Sequence, residues 1–307
     1  CILINTCSMY FSLIEPHLIL LRKYWSDCPF NIYINIDKDK PDNNLDTKYN
    51  FTYINSNLEG RGENILDRLV FSLNELKNRN YKYILFLLDD TFLTRENNTK
   101  DILETLNFLK NNCNEVGSML LHPSPTSKNF YKKMNYQGYH FGDNIYQSNI
   151  PIDTNIIDHI CGHCIDKLYT PGKKYFPHRD ADFKDKLINH CNQPKTDFVN
   201  WCKLNRLVSQ VAFWEIEFFL NGLNKLINPP ADLNILKNKE NKYGNDWSCF
   251  ELFATKYNKK FNIFNSKLIL TPDMRSKIIY QNRGFKGSCI YRGWLVKWGR
   301  QILEENN

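Results

Sequence analysis

The chain has 307 residues, 42% of them hydrophobic and 14% aromatic, with a net charge of +7. That is enough apolar residue for one large core or two small ones without disulfide staples, and it argues against a disordered polypeptide. The positive charge is spread along the chain and no RNA-binding aromatic motif accompanies it, so nucleic acid is not an expected partner, whereas a phosphorylated, anionic substrate suits the charge. Ten scattered cysteines fit free thiols in a reducing compartment. No apolar run reaches the roughly 18 residues of a membrane span, and no secretory signal is visible, so a cytoplasmic or cytoplasm-facing location is expected.

The elements come in a regular order. Ile2 to Cys7 reads as a short buried strand, and Glu15 to Tyr24 has helical apolar spacing with Arg22 and Lys23 outside. Asn31 to Ile36 and Phe51 to Ile54 read as strands, separated by the polar stretch Asp37 to Asn44. Asn64 to Leu76 is an amphipathic helix. Tyr83 to Leu88 is a continuous apolar strand of the kind buried on both faces of a parallel sheet. Asp101 to Leu109 is helical and Gly117 to Leu121 is a further strand. This alternation predicts an open α/β sheet, mostly parallel, with helices on both faces.

Residues 122–203 are rich in Pro, Tyr, His, Asn and Asp, and no strand can be assigned there from pattern alone. Leu204 to Leu220 reads as a helix around Trp214, Phe250 to Tyr257 as another, and Lys277 to Tyr280 as a strand. A glycine-punctuated loop, Asn282 to Gly287, follows. Tyr291 to Leu303 reads as an amphipathic helix with Trp294, Leu295, Trp298 and Ile302 on one side and Arg292, Lys297 and Arg300 nearby. Such a stripe either packs on the body of the domain, the ordinary outcome, or meets a membrane or partner. Three segments result: 1–121 as a nucleotide-binding half, 122–203 as an insertion or acceptor region, and 204–307 as an acceptor and catalytic half, together one domain.

Asp89 and Asp90 end the apolar strand. In open α/β sheets, ligands bind beyond the carboxyl ends of the strands. Adjacent strand residues point opposite ways, so both carboxylates reach one ligand only if the chain turns at Thr91. The alternative is a pair of turn or capping aspartates.

Six stretches, in order, resemble nucleotide-sugar-dependent glycosyltransferases of GT-A type. They are INTC at the end of the first strand, ILDRLVFSLNEL ahead of the acid strand, YILFLLDDTFL, SQVAFWEIEFFL with its Gln-x-x-x-Trp spacing, NDWSCFE, and YQNRGFKG. The acid pair reads Asp-Asp-Thr where the group has Asp-x-Asp, and Ser26 stands where a Pro follows the Trp. The resemblance covers most of residues 2–121 and 204–290. It implies a GT-A fold, with a Rossmann-like nucleotide half and an acceptor half. It also implies a hexosyltransferase-like activity, moving a sugar from a nucleoside-diphosphate donor to a glycan, protein or lipid-linked hydroxyl.

That chemistry assigns candidates. Asp90, with Asp89, would hold Mn²⁺ or Mg²⁺, hard cations that take carboxylate oxygens and complete their shell with substrate phosphates. Glu251 is the candidate base, beside Trp247 and Phe250, whose apolar wall would raise its pKa; Asp246 is the reserve, and a helix-capping role is the alternative for both. A single carboxylate opposite the leaving group suits inversion. Thr6, Cys7 and Tyr10 are placed at the nucleotide by the resemblance, and Arg61, Arg68 and Lys286 are candidate diphosphate contacts. Gln210 and Trp214 are candidates for the sugar, along with Trp247, although Trp214 suits the core as well. His159, Cys161, His163 and Cys164 form a metal-like cluster, but no second paired half-site follows, so zinc at Cys161 and Cys164 is not expected. Two readings from other classes compete: a non-catalytic glycan- or nucleic-acid-binding module, and a metal-dependent nuclease built on Asp89, Asp90 and Glu251.

Overall fold

A computed structural model describes residues 1–41, 44–58, 65–94, 96–121, 145–146, 211–228, 231, 263–264, 267–272, 290–291, 294–295 and 297–305. The expected helices Phe250 to Tyr257 and the expected strand Lys277 to Tyr280 lie outside them.

The first half of the chain folds as its pattern predicts. Strand β1 (Ile2–Asn5) leads through a 3₁₀ segment, Ser8–Leu13, into α1 (Ile14–Tyr24). Pro16 falls in the first turn of α1, where its missing N–H is no loss, and Arg22 and Lys23 lie in the last turn, where cations favour the carbonyl end. Strand β2 (Ile32–Ile36) follows, then a short helix α2 (Leu45–Tyr49), β3 (Thr52–Asn55), α3 (Ile65–Asn78) and β4 (Tyr83–Leu88). Helix α4 (Thr99–Asn111) is capped by Asn98, whose side chain accepts from the Lys100 amide at 3.0 Å. Strand β5 (Val116–Leu120) comes next.

Later elements depart from the sequence pattern. A two-residue strand β6 (Ile145–Tyr146) lies within 122–203. Of the expected helix from Leu204 to Leu220, residues 204–210 lie outside the described residues; the rest holds a strand, β7 (Ala212–Glu215), and then helix from Ile216, the start of α5 (Ile216–Ile227). A short run buried on both faces has no period to separate strand from helix, and the chain joins the sheet because β4 and β5 offer open ladders on either side. Strand β8 (Leu268–Pro272) follows. The expected helix from Tyr291 begins only at Lys297. Strands β9 (Ile290–Tyr291) and β10 (Trp294–Leu295) pair as an antiparallel ribbon ahead of α6 (Lys297–Glu305).

Eight strands form one sheet in the order β3-β2-β1-β4-β7-β5-β8-β6. Strands β1 to β5 and β8 share one direction, and β7 and β6 oppose it. The fold is therefore α/β with a mixed sheet that draws strands from all three segments of the chain.

Alternate residues divide between two cores, as strand geometry requires. On one face Leu3, Tyr33, Ile84, Phe86 and Trp214 meet α3 and α5. On the other Ile2, Ile4, Ile34, Leu85, Leu87 and Phe213 meet α1 and α4. Helix α6 also packs on the body: Leu303 is buried against Leu13, Leu20 and Phe92. Among the described residues no helix is long and apolar enough to cross a membrane.

Candidate functional site

The chain leaves β1 toward β2 and leaves β4 toward β5, on opposite sides of the pair. This reversal marks a topological switch point, where open α/β sheets bind ligands beyond the strand ends. The residues that follow these two strands are Thr6-Cys7-Ser8 and Asp89-Asp90.

The Asp89–Asp90 pair forms the centre of a tight turn. The Thr91 amide donates to the Leu88 carbonyl at 3.1 Å, so the strand ends at Leu88 and both acids sit at the bend. Asp89 is nearly buried and held at three points. Its amide donates to the Asn5 carbonyl at 3.2 Å, continuing the β1–β4 ladder. Its Oδ2 accepts from Thr6 Oγ1 at 2.6 Å. Its carbonyl meets His17 Nδ1 at 3.3 Å. Asp90 is half-buried beside it. The chain turns at the adjacent acids: Asp89 is tied to the end of β1, and Asp90 is the next carboxylate along the bend.

A second carboxylate anchors the other side. Asp37, the first residue after β2, is 2% exposed. It accepts from the Ser8 amide at 2.7 Å and from Ser8 Oγ at 3.2 Å. Arg68, on α3, is 1% exposed and its Nη1 lies 3.8 Å from Asp37 Oδ2. Burial lowers the Arg68 pKa, opposed by Asp37, Cys7 and Asp89. A guanidinium so placed remains charged. Burial, then Asp89 and Asp37, push the Cys7 thiol up to about 11, which favours its protonated form. Behind this layer Asn35 donates to Asn5 Oδ1 at 2.7 Å.

The structure thus brings Thr6, Cys7, Arg68, Asp89 and Asp90 together from three separate stretches of chain. Tyr10 lies in the 3₁₀ segment and packs, half-buried, with the cluster of Leu13, Leu20, Phe92 and Leu303. Trp214 does not join the site. It lies on β7 rather than a helix, 1% exposed, stacked on Phe219 at 4.3 Å. The helical spacing that made it a sugar platform does not exist there. Arg61, Gln210, Asp246, Trp247, Glu251, Lys286, Cys161 and Cys164 lie outside the described residues.

Three contributors escape sequence reading: Ser8, His17 and Asp37. Asp37 carried a usable signal, as the first acid beyond a predicted strand end. His17 sat on the apolar stripe of α1 with Ile14, Leu18 and Leu21, where a histidine passes for core.

Two carboxylates, Asp37 and Asp89, therefore lie at the strand ends within the field of the Arg68 guanidinium, the one buried Lys or Arg among the described residues, and Asp90 follows Asp89 in the turn. Such a site favours a cation or a cation-bridged anion over a bare anion. Among the described residues no group of three acidic, His or Cys side chains is placed to hold a metal ion. Any ion here would take one or two carboxylates and complete its shell from water and substrate.

Fold and site together define an α/β protein with a largely buried, carboxylate-bearing polar cluster at the switch point of its sheet. No protein-family model matches the chain, and no curated protein matches it.

Proposed function

We propose that the chain is a nucleotide-sugar-dependent glycosyltransferase of GT-A type, transferring a sugar to a hydroxyl acceptor. The observation that carries this reading is the acid turn. Asp89 and Asp90 stand at the carboxyl end of β4, hydrogen-bonded through Thr6 to the end of β1, at the reversal point of the sheet. The sequence resemblance is independent of that geometry and points to the same residues.

The donor set suits a hard divalent cation. Asp90 and Asp89 would supply carboxylate oxygens at the bend, Asp89 with its Oδ2 also accepting from Thr6. Mn²⁺ or Mg²⁺ bound there would neutralise charge on the leaving diphosphate. Asp37, paired with Arg68, holds Ser8 at the start of the segment that follows β1, so a nucleotide there would meet two buried charges already paired. Glu251, with Asp246 in reserve, is the proposed base that takes the acceptor proton, and Lys286 and Arg61 the proposed diphosphate contacts. Gln210 and Trp247 remain the proposed sugar contacts.

A thermal-shift screen of nucleoside diphosphates and nucleotide sugars, with and without Mn²⁺, tests the reading. A ligand at about 100 times its Kd stabilises the folded state by about 2.7 kcal/mol, which moves Tm by several degrees. The expected result is a shift with one donor class that depends on Mn²⁺ and disappears in Asp90→Asn. An unchanged Tm with every donor, or a shift that Asp90→Asn retains in full, overturns the assignment.

A further inference from the structure

The acid turn contains one feature that the metal and nucleotide roles do not use. Leu88, Asp89, Asp90 and Thr91 are the four residues of a β-turn closed by the Thr91 amide. The carbonyl of Asp89 belongs to its central peptide, the unit that reverses when a type I turn becomes type II. That reversal would carry the φ of the third residue from about −90° to about +80°. Asp90 is not among the non-glycine residues of positive φ, which among the described residues are Asn50, Asn57 and Asn80. The central peptide therefore sits in the orientation that gives Asp90 an ordinary backbone.

What holds it there is His17. This ring is 2% exposed on α1, and its Nδ1 lies 3.3 Å from the Asp89 carbonyl. A carbonyl only accepts, so Nδ1 carries the proton and Nε2 does not; among the described residues Nε2 has no partner. The edge of the Phe92 ring, centroid 5.8 Å away, packs the imidazole in place. Because the peptide is planar, fixing this carbonyl also fixes the Asp90 amide and the direction in which the Asp90 side chain leaves the chain.

We infer that His17 is a positioning residue that locks the central peptide of the acid turn and so fixes how Asp90 is presented at the bend. The inference deepens the glycosyltransferase reading and rests on it for the consequence at Asp90. Removing the donor leaves a buried carbonyl unpaired, which penalises the present orientation, while reversal places Asp90 at positive φ, a penalty of the same order. Without His17 the two turn conformers therefore become similarly populated.

The test compares wild-type protein with His17→Leu, His17→Asn and Asp90→Asn. Asn carries an amide N–H close to the place of Nδ1, so His17→Asn restores the donor without the ring. Relaxation-dispersion NMR at the amides of residues 89–91 reads the peptide reversal without any ligand. Titration with Mn²⁺ alone reads its consequence. His17→Leu is expected to show exchange confined to the turn and a Mn²⁺ Kd raised about two- to tenfold, in proportion to the population no longer competent. His17→Asn is expected to return both to wild type.

A flat dispersion profile in His17→Leu overturns the lock. Exchange in His17→Leu with unaltered Mn²⁺ affinity, while Asp90→Asn abolishes binding, overturns the positioning of Asp90 and leaves the glycosyltransferase reading standing. Equal Mn²⁺ behaviour in wild type and Asp90→Asn counts against the metal reading instead, and the lock is then decided by the dispersion data alone.

Discussion

Arg68→Met gives the sharpest test of how the polar cluster at the strand ends is held together. Arg68 and Asp37 are both almost wholly buried, 3.8 Å apart at their nearest charged atoms. Met keeps most of the side-chain volume and removes the charge. Asp37 would keep its two hydrogen bonds from Ser8 but lose its only buried cation among the described residues. Breaking a buried ion pair from one side costs about 3–5 kcal/mol, because the remaining charge is left without compensation. The long separation and the Ser8 bonds place this pair at the low end, about 3 kcal/mol.

The assay is urea unfolding at pH 7 followed by tryptophan fluorescence, since Trp25 and Trp214 are both buried reporters. Adding Asp37→Asn to Arg68→Met removes the stranded charge while keeping an acceptor for the Ser8 amide. The double variant should recover at least about half of the loss, and the cycle should show clear coupling. A cost below about 1 kcal/mol for Arg68→Met, the range of an exposed pair, would refute the argument. So would a double variant whose loss equals the sum of the two single losses.

Four further outcomes follow from the same structure. Burial lowers the His17 pKa from 6.5 to about 4, so the folded state prefers the neutral ring. Its contribution is complete above the unfolded pKa and is lost as the pH falls from 6.5 toward 4, an order-of-magnitude loss of about 3 kcal/mol. Wild type should lose about that much more stability than His17→Asn over this window, whatever their difference at neutral pH; parallel stability curves would count against it. Trp214→Ala should cost about 3–5 kcal/mol of stability, and Trp214→Phe should leave nucleotide affinity unchanged, which separates a core residue from a sugar contact. Gly222→Ala would set a Cβ 1.9 Å from the Phe264 ring; overpacking of about 1–3 kcal/mol should outweigh the helix-propensity gain, with Tm recovering when Phe264→Leu is added. Cys7, with its thiol at about 11, should resist iodoacetamide at pH 7.5 in the folded protein and react once urea unfolds it.

The acid turn shows how far a pattern reading reaches. Tyr83 to Leu88 could be recognised as a buried strand because an unbroken apolar run ending in charge has few other places in a fold. The alternation of strands and helices up to Leu121 predicted the α/β class, and strand-end logic alone put Asp89 and Asp90 at a ligand edge. Trp214 shows where the reading stopped. Its apolar neighbours fit a helix as well as a strand, and the choice was made by hydrogen bonding to β4 and β5, residues roughly a hundred positions away.

Local pattern thus determined which segments are strand and helix in the first half, and which residue types crowd the strand ends, because periodicity and burial preference are properties of neighbours in sequence. Only the tertiary structure decided which of those ends meet. Thr6 reaches Asp89 across 83 positions, Ser8 reaches Asp37 across 29, and His17 reaches the Asp89 carbonyl across 72. Such contacts depend on strand order and on the turn at Leu88–Thr91. Both are set by how the whole sheet pairs its hydrogen bonds and buries its two faces, and no short window of residues contains that information.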